Sequence, residues 1–300
     1  MPTLTSANAV AAIPKMVAPM ALQALFPNFV MAGFVNRDFD NVLANAGDTV
    51  NVAMAPNLVA NNIAEAGSVT TQSPSLGNAQ IVLNTHAEAT FQIPNVMQAL
   101  AAPDLIATYL QPAVVAIAEK IESDLLNVYP LLTANNPVGT GGTAPTEATV
   151  DSAETALFKA RMPDSTAKIA VVSADCYAAL RQIARFSEDR MIAGAGSSTI
   201  YNGTIGKLKN ITFVRSQKVN ISGGTTYNMV FGRDAIVLVS RALPTIIVGT
   251  GAVSYMTSFA GFGLRVVMSY NPNTLGQQFT VDVLYGVGLL RNQFGTQFLS

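Results

Sequence analysis

The chain has no tryptophan, one cysteine (Cys176), one histidine (His86) and few charges, with only 12% of its 300 residues Asp, Glu, Lys or Arg. That charged share is about half the usual one. Each shortage closes a class of function. A single cysteine excludes an internal disulfide and fits a reducing compartment. One His and one Cys cannot build a His/Cys metal site. A Ser-His-Asp triad would have to use His86, and no G-x-S-x-G elbow leads into a helix. The 17 basic and 18 acidic side chains leave a net charge of −1, so no positive excess points to nucleic acid.

Targeting signals are also missing. The N-terminus lacks a basic region followed by an unbroken apolar core. Val17 to Asn36 is uncharged for 20 residues, long enough to span a bilayer. Pro19, Gln23, Pro27 and Asn28 inside it argue against a spanning helix. Ala242 to Leu264 is uncharged too, but its Gly, Ser, Thr and β-branched content reads as buried strand. The expectation is a soluble chain without a membrane partner.

What is present is apolar: 50% of the residues are hydrophobic. A surface so poor in charge is expected to be covered by another protein. The strongest periodic signal is Pro103 to Tyr129. Leu105, Ile106, Tyr109, Leu110, Val114, Ile117, Ile121, Leu125 and Val128 recur at three- and four-residue steps, an amphipathic helix. Glu119, Lys120, Glu122 and Asp124 are placed on its polar side. Pro103 suits a first helical position and Pro112 should bend the rod, which would be roughly 40 Å long. This helix is the expected spine.

Residues 1–46 are apolar and proline-punctuated, an arm with short helices. Gly47-Asp48 turns into a strand at Val50, Val52 and Met54. Ile81 to Ile93 alternates as a second strand. Between them lie the 26 residues Ala55 to Gln80, too long for an ordinary connection. They are read as a projecting hairpin arm that meets another subunit, or as an unstructured insertion. Thr133 to Ala148 reads as a flexible connector. A helix capped by Asp151, with Glu154 three residues on, ends at Met162 before Pro163. Lys168–Ser173 is a buried strand, Asp175–Ile183 a helix and Arg185–Asn202 a loop. Short strands follow at 211–215, 229–231, 235–239, 246–248 and 264–268, with a last one at 279–287. The fold class is α+β.

Candidate chemistry is thin. His86 sits among Asn84, Glu88 and Thr90 on a polar strand face and reads as solvated. Gly194-Ala-Gly-Ser-Ser-Thr lacks the lysine and the preceding strand of a phosphate loop. The pairs Asp38/Asp40, Glu119/Glu122 and Glu188/Asp189 are acidic, and Glu119/Glu122 reads as a solvated helix side. Met16, Met20 and Met31 are spaced as packing side chains. No catalytic, cofactor-binding or metal residue is assigned, and no enzyme is expected. Residues 159–241 carry 12 basic and five acidic side chains, against five and 13 elsewhere. Solvated faces explain this; so would head-to-tail contact between subunits.

The order of parts resembles the major capsid (coat) proteins of tailed bacteriophages, with the short-tailed branch nearest. The residues that carry the likeness are the apolar arm, GDTVNVAMAP…NAQIVLNTHAEATFQIP, the helix 103–129, KIAVVSADCYAALRQ, GTIGKLKNITFVRSQKV and DVLYGVGLLRNQFG. Asn210 stands where many relatives have Gly, which puts the turn there in question. The resemblance implies an N-terminal arm at 1–46 and an extended loop at 47–94. It implies a spine helix opening the peripheral domain at 95–149, an axial domain at 150–265 and the end of the peripheral domain at 266–300. It also implies self-assembly into pentamers and hexamers, and an icosahedral head enclosing double-stranded DNA without sequence specificity. Assembly in the host cytoplasm into a virion, with scaffolding, portal and decoration proteins as partners, belongs to the same expectation. The chain starts at the arm without a long charged segment, which implies a separate scaffolding protein. Residues 41–103 hold no lysine, so a covalent cross-link through the extended loop is not expected. The alternatives are the shell of a non-viral compartment or surface array, and a small-molecule enzyme.

Overall fold

The computed structural model describes residues 30–39, 49–54, 58–63, 65, 67–73, 77–95, 105–183, 207–241, 243–247, 251–259 and 262–300. The expectations for residues 1–29, the loop 185–202 with Gly194, Asp40 and the Glu188/Asp189 pair fall outside these. Helix α1 spans Leu105–Leu126, inside the expected 103–129. Its buried stripe is Leu110, Val114, Ile117, Ala118, Ile121, Leu125 and Leu126, at the predicted helical steps. The helical run continues through Pro112 without a break. Beyond it, Tyr129–Leu131 makes one 3₁₀ turn.

Two sheets flank this helix. The first holds five strands in the order β10-β11-β12-β3, with β9 pairing the far half of β12. Their ranges are β3 Thr85–Pro94, β9 Ile236–Arg241, β10 Ala252–Phe259, β11 Phe262–Asn271 and β12 Gly276–Leu289. The second holds six, in the order β13-β8-β4-β6-β5, with β7 pairing β8. These are β4 Lys168–Val172, β5 Lys207–Leu208, β6 Ile211–Arg215, β7 Asn220–Ser222, β8 Thr225–Gly232 and β13 Gly295–Leu299. β4 and β6 run parallel; every other pair among the described strands is antiparallel. β4 is buried along its whole length, as a continuous apolar run requires. Strands on both sides of residue 265 share the first sheet, and β13 returns to the second.

Several local expectations are corrected. The alternation from 81 to 93 is split at Leu83-Asn84 into two strands of different sheets, β2 (Gly77–Val82) and β3. Alternation reports a half-buried strand but not which sheet owns it. Helix α2 spans Glu147–Lys159, starting inside the expected connector. Its cap is Thr146, not Asp151: Thr146 accepts from Thr149 N–H, and the Thr149 hydroxyl accepts from Thr146 N–H. This is a reciprocal box built with Thr in place of the usual Glu or Gln. Helix α3 is Ala174–Gln182, capped by Ser173. Residues 246–247 carry no regular structure, β10 lies inside the uncharged stretch 242–264 read as strand, and β13 forms a strand in the C-terminal tail where none is expected.

The turn at Asn210 is a two-residue hairpin, since Leu208 pairs Ile211 across it. Lys209 (φ 44°) and Asn210 (φ 65°) are both left-handed. Asn tolerates that conformation best after Gly, so the substitution leaves the turn in place.

Candidate functional site

Strands β1 (Thr49–Met54) and β2 form a two-stranded ribbon of their own, registered from Thr49↔Val82 to Met54↔Gly77. Beyond its open end the chain stays exposed: Leu58, Val59, Ile63 and Val69 are 57–82% exposed. One local contact closes this tip, with Val59 N–H donating to Gln72 Oε1 at 3.0 Å and the Gln72 amide donating back to Val59 O. Four large apolar side chains are thus left in water beyond the ribbon.

The arm is seated at its other end. Ile81 and Leu83 pack on Val237, Val239 and Leu290, with Val52, Ala79, Phe39 and Leu284 around them, as a small core separate from the main one. Next to this seat, Arg265 grips Asp282 with two bonds, Nε to Oδ1 at 3.0 Å and Nη2 to Oδ2 at 2.5 Å. His86 Nε2 lies 3.1 Å from the same Oδ2, and Arg265 Nη1 donates to Pro244 O at 2.8 Å. The Asp282 carboxylate is buried and fully engaged. It ties β3, β11 and β12 together at the arm's root. The His86 side chain is half exposed, as its polar strand face predicts, but it has a carboxylate partner that the sequence did not reveal.

The spine anchors the segment before the arm. Glu122 is 3% exposed, which corrects its placement on the solvated side. Its Oε2 accepts from Met31 N–H at 2.9 Å and its Oε1 from the Ser216 hydroxyl at 3.1 Å. Burial pushes its pKa up, and the bonds from Met31, Ser216 and Val30 pull against that shift. Met31 is fully buried. Asn36 extends this anchoring: its N–H donates to Ile236 O and its carbonyl accepts from Leu238 N–H, both at 3.0 Å.

The basic segment finds its acids within the chain. Lys209 meets Glu147 and Asp151, Lys218 meets Glu119, and Arg233 meets Asp38, at 2.5–3.0 Å. Lys168, with no side-chain exposure, sits between Glu154 and Asp164. Complementarity between the two charge regions is therefore used, for these residues, inside one subunit.

Nothing in this arrangement resembles a reaction centre. Burial pushes the Cys176 thiol up to about 12, leaving no thiolate at neutral pH. Burial and the neighbouring Asp124 carboxylate also raise the Tyr285 phenol. Among the described residues no cluster of three His, Cys, Asp or Glu could hold a metal, and no helix is long and apolar enough to cross a membrane.

Comparisons with known proteins agree with this geometry. The family described as "Phage capsid protein" matches residues 96–292, more than half of the chain. No curated protein sequence matches. A structure from Mycobacterium phage Che8 is similar at TM-score 0.66 and 17% identity, covering 90% of each chain. The capsid of cyanophage P-SCSP1u gives 0.58 and 15%, covering 84% of this chain and 83% of that one. The SrpI encapsulin of Synechococcus elongatus PCC 7942 gives 0.52 and 17%, covering 84% and 81%. At these identities the structures speak for a shared fold, that of tailed-phage capsids. The chain belongs to the phage capsid protein family, as a major capsid protein that forms the phage shell.

Proposed function

We propose that the β1–β2 arm is the principal joint between subunits, laying its apolar tip on a neighbouring copy. Contacts of this head-to-tail kind close into rings, here pentamers and hexamers that build an icosahedral head around double-stranded DNA. The observation that supports it is the arm itself: four large apolar side chains lie in water beyond a ribbon with its own register. In this reading the five-stranded sheet, α1 and the arm's seat form the peripheral unit at the rim of each ring. The six-stranded sheet with α2 and α3 forms the axial unit nearer its centre. Assembly takes place in the host cytoplasm, with scaffolding, portal and decoration proteins as further partners. The low net charge keeps the inner surface from gripping packaged DNA through its phosphates.

The test removes the tip and keeps the ribbon. Met54 and Gly77 are the last registered pair, so an Asn-Gly dipeptide in place of residues 55–76 closes the hairpin with a favoured turn. The expected product is a folded subunit that forms no stable shells by electron microscopy and light scattering. Native shells from this variant would sink the arm assignment. DNA inside closed particles distinguishes a virus head from a compartment that stores protein cargo.

A further inference from the structure

β12 carries two glycines, Gly286 and Gly288, in its interior. Glycine weakens a strand and commonly marks a place where another backbone comes close. Both lie on the same face, two residues apart. β3 pairs β12 only as far as Tyr285, while β9 lies along residues 284–289 on the other edge. At Gly286 the arm crosses. A Cβ added there would overlap the Val82 carbonyl oxygen and lie 3.0 Å from its carbon and 3.2 Å from Leu83 Cα. These are backbone atoms at the point where β2 ends, so they can move only if the arm moves. At Gly288 the same addition would meet Ile81 Cγ1 and Cγ2 at 3.5 and 3.7 Å, ordinary packing distances.

We infer that Gly286 is the seat that fixes the direction in which the arm leaves the body. Val82 can lie flat on β12 only because position 286 has no side chain. Ile81 and Leu83 then drop onto Val237, Val239 and Leu290 and hold the ribbon down. Six residues at about 3.3 Å each make the ribbon a lever of roughly 20 Å, so a small tilt at the seat is multiplied at the tip. Gly286 is in this sense a positioning residue for assembly. That consequence rests on the arm reading proposed above; the seat itself does not.

The test measures the arm in the unassembled subunit. Spin labels on Ala53→Cys in the ribbon and Ser152→Cys on α2 report the arm-to-body distance, and Cys176 is buried away from the reagent. Gly286→Ala is expected to shift or broaden the distance distribution, while Gly288→Ala, an equal change in the same strand, leaves it at the wild-type profile. A Gly286→Ala profile that superimposes on the wild type overturns the inference. If Gly286→Ala gives no folded protein, Ile81→Ala with Leu83→Ala loosens the seat without adding an atom to β12. An unchanged profile from that pair also overturns the inference. Shell assembly is then scored on the same variants. A moved arm with misshapen or absent shells supports both readings. A moved arm with native shells leaves the seat standing and removes the arm from the subunit joint.

Discussion

At the scale of single residues, one side chain acts against its usual habit. Glu122 is a carboxylate inside the core. The sign of its effect follows from the raised pKa: between its ordinary value of 4.5 and the higher folded value, the folded state holds more protons than the unfolded one. Its contribution to stability therefore falls as pH rises through that window and stays low above it. Glu122→Gln keeps an acceptor for Met31 N–H and loses the charge. Denaturant melts above and below pH 4.5 should show the variant gaining on the wild type as pH rises. Glu122→Ala leaves the Met31 N–H and the Ser216 O–H without their acceptor, at about 1–3 kcal/mol. The sequence hid this residue because Glu122 borders the apolar stripe, one position from Ile121, and its partners lie 91 and 94 residues away. Asn210 was legible, being the residue best suited to replace Gly at φ 65°. Asn210→Gly is expected to change stability by under about 1 kcal/mol, and a β-branched Asn210→Val to lower it by about 1–2 kcal/mol, read from the midpoint of chemical unfolding.

Among elements, periodic signals were readable wherever burial was one-sided. The α1 stripe, β6 and β12 follow from residue spacing, while β4, buried throughout, follows from its unbroken apolar run. Elements defined by partners were less readable: β13 is a short polar-apolar tail until it pairs β8, and the strand character of 242–264 is visible without anything that marks the ends of β10. The break between β2 and β3 was hidden for the same reason, since both halves alternate and only Gly286 records the crossing. The end of α2 carries its own prediction. Arg161 stands at φ 61° just past the helix, with its N–H on Phe158 O and Met162 N–H on Leu157 O. That is a helix-terminating position that favours glycine. Arg161→Gly should raise the thermal midpoint by the equivalent of up to about 1 kcal/mol. Thr146→Ala, which removes the cap at the other end, should lower it by about 1 kcal/mol.

For the whole molecule, the proposed arm joint separates subunit stability from assembly. Ile63 and Val69 are exposed in the subunit, so Ile63→Asp with Val69→Asp should leave subunit unfolding unchanged. It should raise the concentration needed for shells at least about tenfold, the effect of about 1.4 kcal/mol lost per contact, as measured by light scattering against concentration. The 26-residue length of Ala55 to Gln80 suggested a projecting arm, but its seat and the internal use of the charges needed the folded structure. The sheet order sets a clock as well. β3 pairs β12, and partners such as Thr90 and Thr280 are 190 residues apart. At about 5–20 residues per second, the ribosome takes roughly 10–40 s to deliver the strand that β3 awaits. Through that interval one edge of β3 lies open on a nascent chain with little charge to keep others away. Yield of soluble subunit should therefore depend on how quickly and how cool the chain is made, well before any shell contact forms.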